Sequence, residues 1–243
     1  MPHHKEGHEM PSGRLTVCNR RMEAIQECQE VIAASEPHPY YVEAYRAEEA
    51  SYWRRIPQWL LRDFRRRAFE RCLDIGCAYG TLALFCKKLF ECDVFCTDFT
   101  DRYISPRLLR DFGLHFAKNN IELDPFPWNL KFDVILFTEV LEHLNFKPLP
   151  TLEKIRNLLS PNGRLYLSTP NAASRGRVLK YYGSVEEMPL PAPGRTLIDD
   201  HVYVYQKNEI MGILKKAGFR TERFGYSPGL TNKRHFNLTL AAD

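Results

Sequence analysis

The run Cys72-Leu73-Asp74-Ile75-Gly76-Cys77-Ala78-Tyr79-Gly80, with Asp98 closing Asp93-Val94-Phe95-Cys96-Thr97 eighteen residues after Gly80, constrains this chain more than any other feature. It reads as a short apolar strand that turns through glycines into a helix, then a second strand that ends on a carboxylate. Strands joined through a helix lie parallel, and parallel strands need both faces covered. The fold class is therefore α/β with a doubly wound sheet. A glycine turn after the first strand and an acid after the second form the arrangement that holds a nucleoside.

Glycine spacing separates the kinds of nucleoside ligand. A dinucleotide turn needs glycines at relative positions 1, 3 and 6 so that backbone can approach a pyrophosphate. Counted from Gly76, the later places hold Ala78 and Thr81. Asp74 and Gly80 instead complete Asp-x-Gly-x-x-x-Gly, and this segment resembles motif I of the class I S-adenosylmethionine-dependent methyltransferases. The resemblance implies S-adenosyl-L-methionine as cofactor and S-adenosyl-L-homocysteine as product. That cofactor carries no pyrophosphate, so the bulkier turn is tolerable, and a nearby acid suits its ammonium and sulfonium.

The segment Phe132-Asp133-Val134-Ile135-Leu136-Phe137-Thr138-Glu139-Val140-Leu141-Glu142-His143-Leu144 resembles motif IV of the type 11/23, ubiquinone-biosynthesis-methyltransferase-like branch. Ser160-Pro161-Asn162-Gly163 is similar to the turn before that family's fifth strand. The likeness is strong over Arg71 to Thr169 and looser over Asp200 to Phe219. It implies a cofactor site made of Asp74, Gly76, Cys77, Ala78, Gly80, Asp98, Phe99, Asn120, Ile121, Thr138 and Glu139. Asp98 would take both ribose hydroxyls and Phe99 would cover the adenine face. Asn120 and Ile121 match the positions that meet the adenine amino group and ring. The competing readings are ordinary ones: an acid ending a strand, or an Asn in a loop, is a common turn former.

Around this core the organisation is as follows. Residues 1–18 are polar and His-rich, an expected disordered tail. An N-terminal helical cap over 19–70 comprises one helix from Arg21 to Ser35 and a second from Val42 to Phe69, broken at Pro57. Residues 71–243 form a Rossmann-like domain with expected strands at Arg71–Ile75, Val94–Thr97, Phe116–Asn119, Asp133–Phe137 and Arg164–Ser168. A helix or loop fills Pro106–His115, and helices follow at Leu152–Leu159 and Lys207–Ala217. A final antiparallel pair, Thr221–Tyr226 and His235–Leu240, is similar to the hairpin that completes seven strands in class I methyltransferases. Pro170 to Leu197, with one helical turn near Val178–Tyr182, has the length of a lid, so a lid insertion is expected at about 170–200.

In such an enzyme the sulfonium has already activated the methyl group. The protein mainly aligns a nucleophile and removes water, and a base helps where the nucleophile starts as a hydroxyl or ammonium. His143, four residues after Glu139 and expected on one helix face with it, is a candidate catalytic base; a packed histidine is the alternative. His201 follows Asp199 and Asp200, whose charge favours its protonated form, so substrate binding competes with catalysis there. Asn171, Tyr181, Tyr182 and Arg195 are candidate substrate-binding residues, against a plain surface loop.

Bulk properties exclude several classes. No stretch approaches the roughly 18 unbroken apolar residues of a membrane span, and the N-terminus lacks a secretory apolar core, so a cytoplasmic protein without a membrane partner is expected. Of seven cysteines, five fall between Cys72 and Cys96, where thiols pack as apolar groups. Cys92 and Cys96 lack a Cys-x-x-Cys or histidine partner, and no metal is expected. A net charge of +4 is far from that of a chain built to coat nucleic acid. Arg54, Arg55, Arg62, Arg65, Arg66, Arg67 and Arg71 read as a solvated helix face opposite Trp53, Ile56, Leu60 and Phe64. The expected protein is a methyltransferase, monomeric or homodimeric, acting on oxygen, nitrogen or carbon of a small-molecule or glycan-precursor acceptor. The alternatives are an RNA methyltransferase using the Arg54–Arg71 cluster and a non-catalytic scaffold that binds the cofactor.

Overall fold

The structure, a computed structural model, describes residues 17–35, 37–175, 181–228 and 234–242. The tail over 1–16 and most of the expected helical turn at Val178–Tyr182 lie outside the described residues.

Helix α1 (Val17–Ala34) leads into a π-helical turn (Tyr41–Tyr45), α2 (Arg46–Tyr52) and α3 (Ile56–Phe64). The second expected helix is thus two, and the break falls at Trp53–Arg55, just ahead of Pro57. Proline sits in the first turn of α3, where its missing amide hydrogen costs nothing and its fixed φ suits the helix start. Ile25, Cys28 and Ile32 recur at helical spacing on α1 and are buried where it packs on α4.

The remaining elements are β1 (Arg71–Ile75), α4 (Thr81–Phe90), β2 (Asp93–Asp98), α5 (Pro106–Phe112), β3 (His115–Lys118), β4 (Phe132–Thr138), α6 (Pro148–Leu158), β5 (Leu159–Pro170), the short α7 (Ala172–Arg175), α8 (Lys207–Lys216), β6 (Phe219–Pro228) and β7 (Arg234–Ala242). They build a seven-stranded sheet in the order β3-β2-β1-β4-β5-β7-β6. β1 to β5 run parallel, and β7 runs antiparallel to both β5 and β6. The apolar runs of β1 and β4 are buried because two clusters cover opposite faces: one with α1, α3 and α4, the other with α6 and α8. Strand order reverses between β1 and β4, and a crevice opens beyond their carboxyl ends.

Strand β5 begins at Leu159, earlier than the expected Arg164, and takes in the Ser160-Pro161-Asn162-Gly163 turn as an irregularity. Asn162 has φ 64°, the register shifts between Phe132 and Val134, and a Cβ on Gly163 would lie 2.7 Å from the Phe132 carbonyl oxygen. Close backbone approach therefore requires glycine there.

Two polar clasps fasten the sheet, one of them to α3. Asp63 on α3 receives Arg223 of β6 through two bonds of 2.6 and 2.7 Å and the Tyr166 hydroxyl of β5 at 2.7 Å. Arg67 meets Asp133 at 2.9 Å, and Arg71 donates to the Lys131 carbonyl at 3.2 Å. Arg71 opens β1 and Asp133 lies at the start of β4, so this part of the arginine cluster stands at the sheet edge opposite the crevice.

Candidate functional site

The turn after β1 is shaped by backbone constraints. The Gly76 and Cys77 amides both donate to the Thr97 carbonyl, at 2.7 and 3.1 Å, which draws the turn back over β2. Gly76 has φ +71°, and a Cβ there would sit 2.3 Å from Val140 Cγ2, so glycine is needed for conformation and for space. Ala78, at φ 44°, donates its amide to Asp98 Oδ2 at 3.0 Å, while the Thr100 amide meets Oδ1 at 3.1 Å. Burial raises the Asp98 carboxyl above its ordinary range, and these amides oppose the rise.

The crevice has two lobes that share Gly76, Asp98, Phe99, Val140, His143 and Asp199. One, of about 170 Å³, runs under Ile75, Asn119, Asn120, Ile121 and Leu144. The other, of about 240 Å³, is walled by Tyr45, Ala78, Tyr79, Tyr103, Thr138 and Glu139. The turn, the β2 carboxylate, the loop after β3 and the end of β4 thus converge on one space. Phe99, on the wall of both lobes, is 49% exposed.

Asp74, Cys77 and Gly80 do not line either lobe. Asp74 is buried beneath the turn, where it accepts a bond from the Ala83 amide; burial first, then the charge of Asp98, pushes its carboxyl up to about 7. Gly80, at φ +82°, faces Ile104 and Leu108. Asn120 lines the first lobe, but its Oδ1 already accepts the Glu122 amide at 2.9 Å in a local turn. Its neighbour Asn119 is the residue the sequence reading passed over. The Asn119 Nδ2 donates to the Pro125 carbonyl at 3.0 Å, and its buried Oδ1 has no hydrogen-bond partner.

Glu139 and His143 do not share a helix. Glu139 follows the last residue of β4 in the left-handed region at φ 55°, and His143 closes a separate 3-10 turn, Leu141–His143. The Glu139 amide donates to the Ser168 carbonyl at 2.9 Å, fixing this corner against β5, and its Oε1 is buried with no hydrogen-bond partner. His143 stands on the wall of both lobes, with burial holding it below the ordinary histidine range. His201 lines neither lobe; its ring packs edge to face on His143 at 4.7 Å.

The four expected substrate-side residues also stay off the crevice wall. Asn171 is buried and its Oδ1 caps the Ala173 amide at 3.0 Å, Tyr181 bonds Asp200 at 3.3 Å, Tyr182 packs on the second cluster, and Arg195 is exposed. The same long segment reaches the first lobe a few residues later, through Leu197, Ile198 and Asp199. Pinning of the Ile198 amide by Asn145 Oδ1, at 2.6 Å, explains which part of the segment turns inward.

Residues 45–223 match the family described as Methyltransferase domain, most of the chain, with β1 to β5 whole and the start of β6. The chain belongs to the class I S-adenosylmethionine-dependent methyltransferases. No curated protein is detected as a relative by sequence. Among solved structures, this methyltransferase is similar to N-methyltransferase NodS from Bradyrhizobium japonicum WM9 in complex with S-adenosyl-L-homocysteine, at 17% identity over 90% of this chain and 98% of that one, TM-score 0.58. It is similar also to the Burkholderia thailandensis 1,6-didemethyltoxoflavin-N1-methyltransferase, at 17% identity over 99% and 98%, TM-score 0.60. A third likeness is to magnesium protoporphyrin IX methyltransferase from Synechocystis PCC 6803, at 16% identity over 96% and 90%, TM-score 0.54. At these identities the shared property is the fold. Among the described residues, no helix of this methyltransferase is long and apolar enough to cross a membrane.

Proposed function

We propose that this chain transfers the methyl group of S-adenosylmethionine to oxygen, nitrogen or carbon of a small-molecule or glycan-precursor acceptor. The observation that carries the reading is Asp98, a buried carboxylate on the wall shared by both lobes, with each oxygen steadied by one backbone amide. When bound, S-adenosylmethionine supplies a methyl carbon made electrophilic by its sulfonium. The crevice fits such a group: it combines acids with apolar and aromatic walls and two buried oxygens without hydrogen-bond partners, Asn119 Oδ1 and Glu139 Oε1.

In this reading Asp98 uses its remaining lone pairs for the two ribose hydroxyls. Phe99 and Ile121 hold the adenine ring, and Asn119 Oδ1 joins Asn120 in accepting from the adenine amino group. Gly76 and Ala78 bring backbone to the cofactor, while Asp74, Cys77 and Gly80 act from behind by fixing the turn. Thr138 and Glu139 face the reacting end, where Tyr45, Tyr79 and Tyr103 exclude water and offer ring faces to positive charge. His143, neutral at ordinary pH, takes the acceptor's proton. The segment over about 170–200 closes the acceptor side through Leu197 to Asp199.

An RNA acceptor is less well supported, because Arg67 and Arg71 are engaged at the far edge of the sheet and Arg55 donates to the Tyr226 carbonyl at 2.9 Å. Calorimetry with S-adenosylhomocysteine tests the central assignment. Asp98→Asn is expected to weaken binding by about 1.5–3 kcal/mol, the range for a hydrogen bond to a charged group. Equal affinity of the variant and the parent protein would remove Asp98 from the cofactor site.

A further inference from the structure

Behind the crevice wall, three metal-ligating side chains come together from two segments far apart in sequence. Glu142 and His143 lie in the 3-10 turn after β4, and His201 lies past the long insertion. One ligand atom from each of the three falls within 4.8 Å of the other two. We propose that Glu142, His143 and His201 bind a divalent transition-metal ion at the edge of the methyl-transfer crevice.

Several independent features shape the trio as a ligand set. Glu142 is only 1% exposed, and its Oε2 accepts the Thr169 hydroxyl at 2.9 Å, which fixes the carboxylate plane. The Glu142 carbonyl accepts the Val202 and Tyr203 amides at 2.7 and 3.1 Å, so the segment bearing His201 is fastened to the turn bearing the other two ligands. The Asp200 backbone carbonyl faces the His143 ring, an arrangement in which the ring's other nitrogen would be the ligand atom. Ligating histidines are commonly oriented by a carbonyl bond through the other nitrogen.

Two imidazoles and one carboxylate suit Zn²⁺, Mn²⁺, Fe²⁺ or Co²⁺; Mg²⁺ and Ca²⁺ prefer all-oxygen sets. Three protein ligands leave a coordination position open, the arrangement of catalytic rather than structural sites. Because His143 is also on the crevice wall, the open position belongs to the space where the acceptor is proposed to sit, and an acceptor hydroxyl is the ligand class it takes. The metal site itself is independent of the methyl-transfer reading. Without an ion, His143 keeps the role of base given above.

Cobalt titration tests this in the full chain carrying His3→Ala, His4→Ala and His8→Ala, which removes the N-terminal histidines as competing ligands. Protein stripped by chelator should take up Co²⁺ saturably, with visible d–d absorption, and release it to Zn²⁺. His201→Ala and Glu142→Gln should each abolish the absorption, and Thr169→Val should weaken the affinity by about 10- to 100-fold. S-adenosylhomocysteine binding retained by His201→Ala would show that the variant is folded. Unchanged Co²⁺ spectra in His201→Ala, or a stripped protein that binds S-adenosylhomocysteine and takes up no Co²⁺, would overturn the metal site while leaving the methyltransferase reading intact.

Discussion

Glu139 Oε2 meets His235 Nδ1 at 2.8 Å, joining the corner after β4 to a strand that begins almost a hundred residues later. Both groups are nearly out of solvent, with side-chain exposures of 11% and 2%, and the Tyr52 ring lies 4.9 Å from the imidazole. His235 thereby fixes one carboxylate oxygen, while the buried Oε1 has no hydrogen-bond partner.

Removing His235 leaves a nearly buried carboxylate oxygen without its hydrogen bond, at a cost of roughly 1–3 kcal/mol. His235→Ala is expected to lose stability in that range in urea unfolding. Glu139→Gln, which keeps a hydrogen-bond acceptor, should lose only about 1–2 kcal/mol. A double-mutant cycle showing no coupling would separate the two residues.

Gly76→Ala is expected to destabilise the turn by more than about 1 kcal/mol, since a side chain there meets both a positive φ and Val140. Adding Val140→Ala should recover the part due to crowding and none of the part due to backbone conformation. Thermal unfolding of the single and double variants separates the two contributions.

Asp63 is pushed up by burial, but the Arg223 guanidinium and the Tyr166 hydroxyl outweigh this and hold it below its ordinary 3.8. A carboxylate lowered on folding adds stability that is complete above its unfolded pKa and is lost as pH falls through the folded one. Acid unfolding below about pH 3.8 should therefore steepen through Asp63, and Asp63→Asn should flatten that limb. At neutral pH the same variant removes the charge from the two bonds to half-buried Arg223 and should cost about 1.5–3 kcal/mol.

Glu49 behaves in the opposite sense. Burial lifts it from 4.5 to about 7, although Thr81, Gln29 and Tyr41 donate to the carboxylate. The folded state then binds the proton more tightly than the unfolded state, so this contribution is full below pH 4.5 and is lost as pH rises to about 7. Asp74, also lifted to about 7, adds a second loss in the window from 3.8 upward. Stability measured by urea titration should decline across these pH ranges, and Glu49→Gln should remove its share of the slope.

Local chemistry made β1, its glycine turn and the acid ending β2 readable, because strand, turn and carboxylate are contiguous and each follows from the residue types present. The same holds for β4, and the repeated strand-helix pattern carried the parallel order of the sheet. Element ends were less legible: Pro57 marked a boundary but not its side, and the Ser160–Gly163 turn is absorbed into β5 by pairing with a distant strand.

The sequence by itself determined the fold class, the family and the neighbourhood of the cofactor crevice. Only tertiary structure decided which side chains face it. Asn120 Oδ1 already accepts the Glu122 amide while the neighbouring Asn119 Oδ1 has no hydrogen-bond partner, and His235 reached Glu139 through antiparallel pairing of β7. Tyr181, Tyr182 and Arg195 stay off the crevice wall while Leu197–Asp199 reach it, beside the bond between Asn145 and Ile198. Contacts between residues far apart in sequence depend on how loops return to the sheet, and no local pattern of residue types encodes that path.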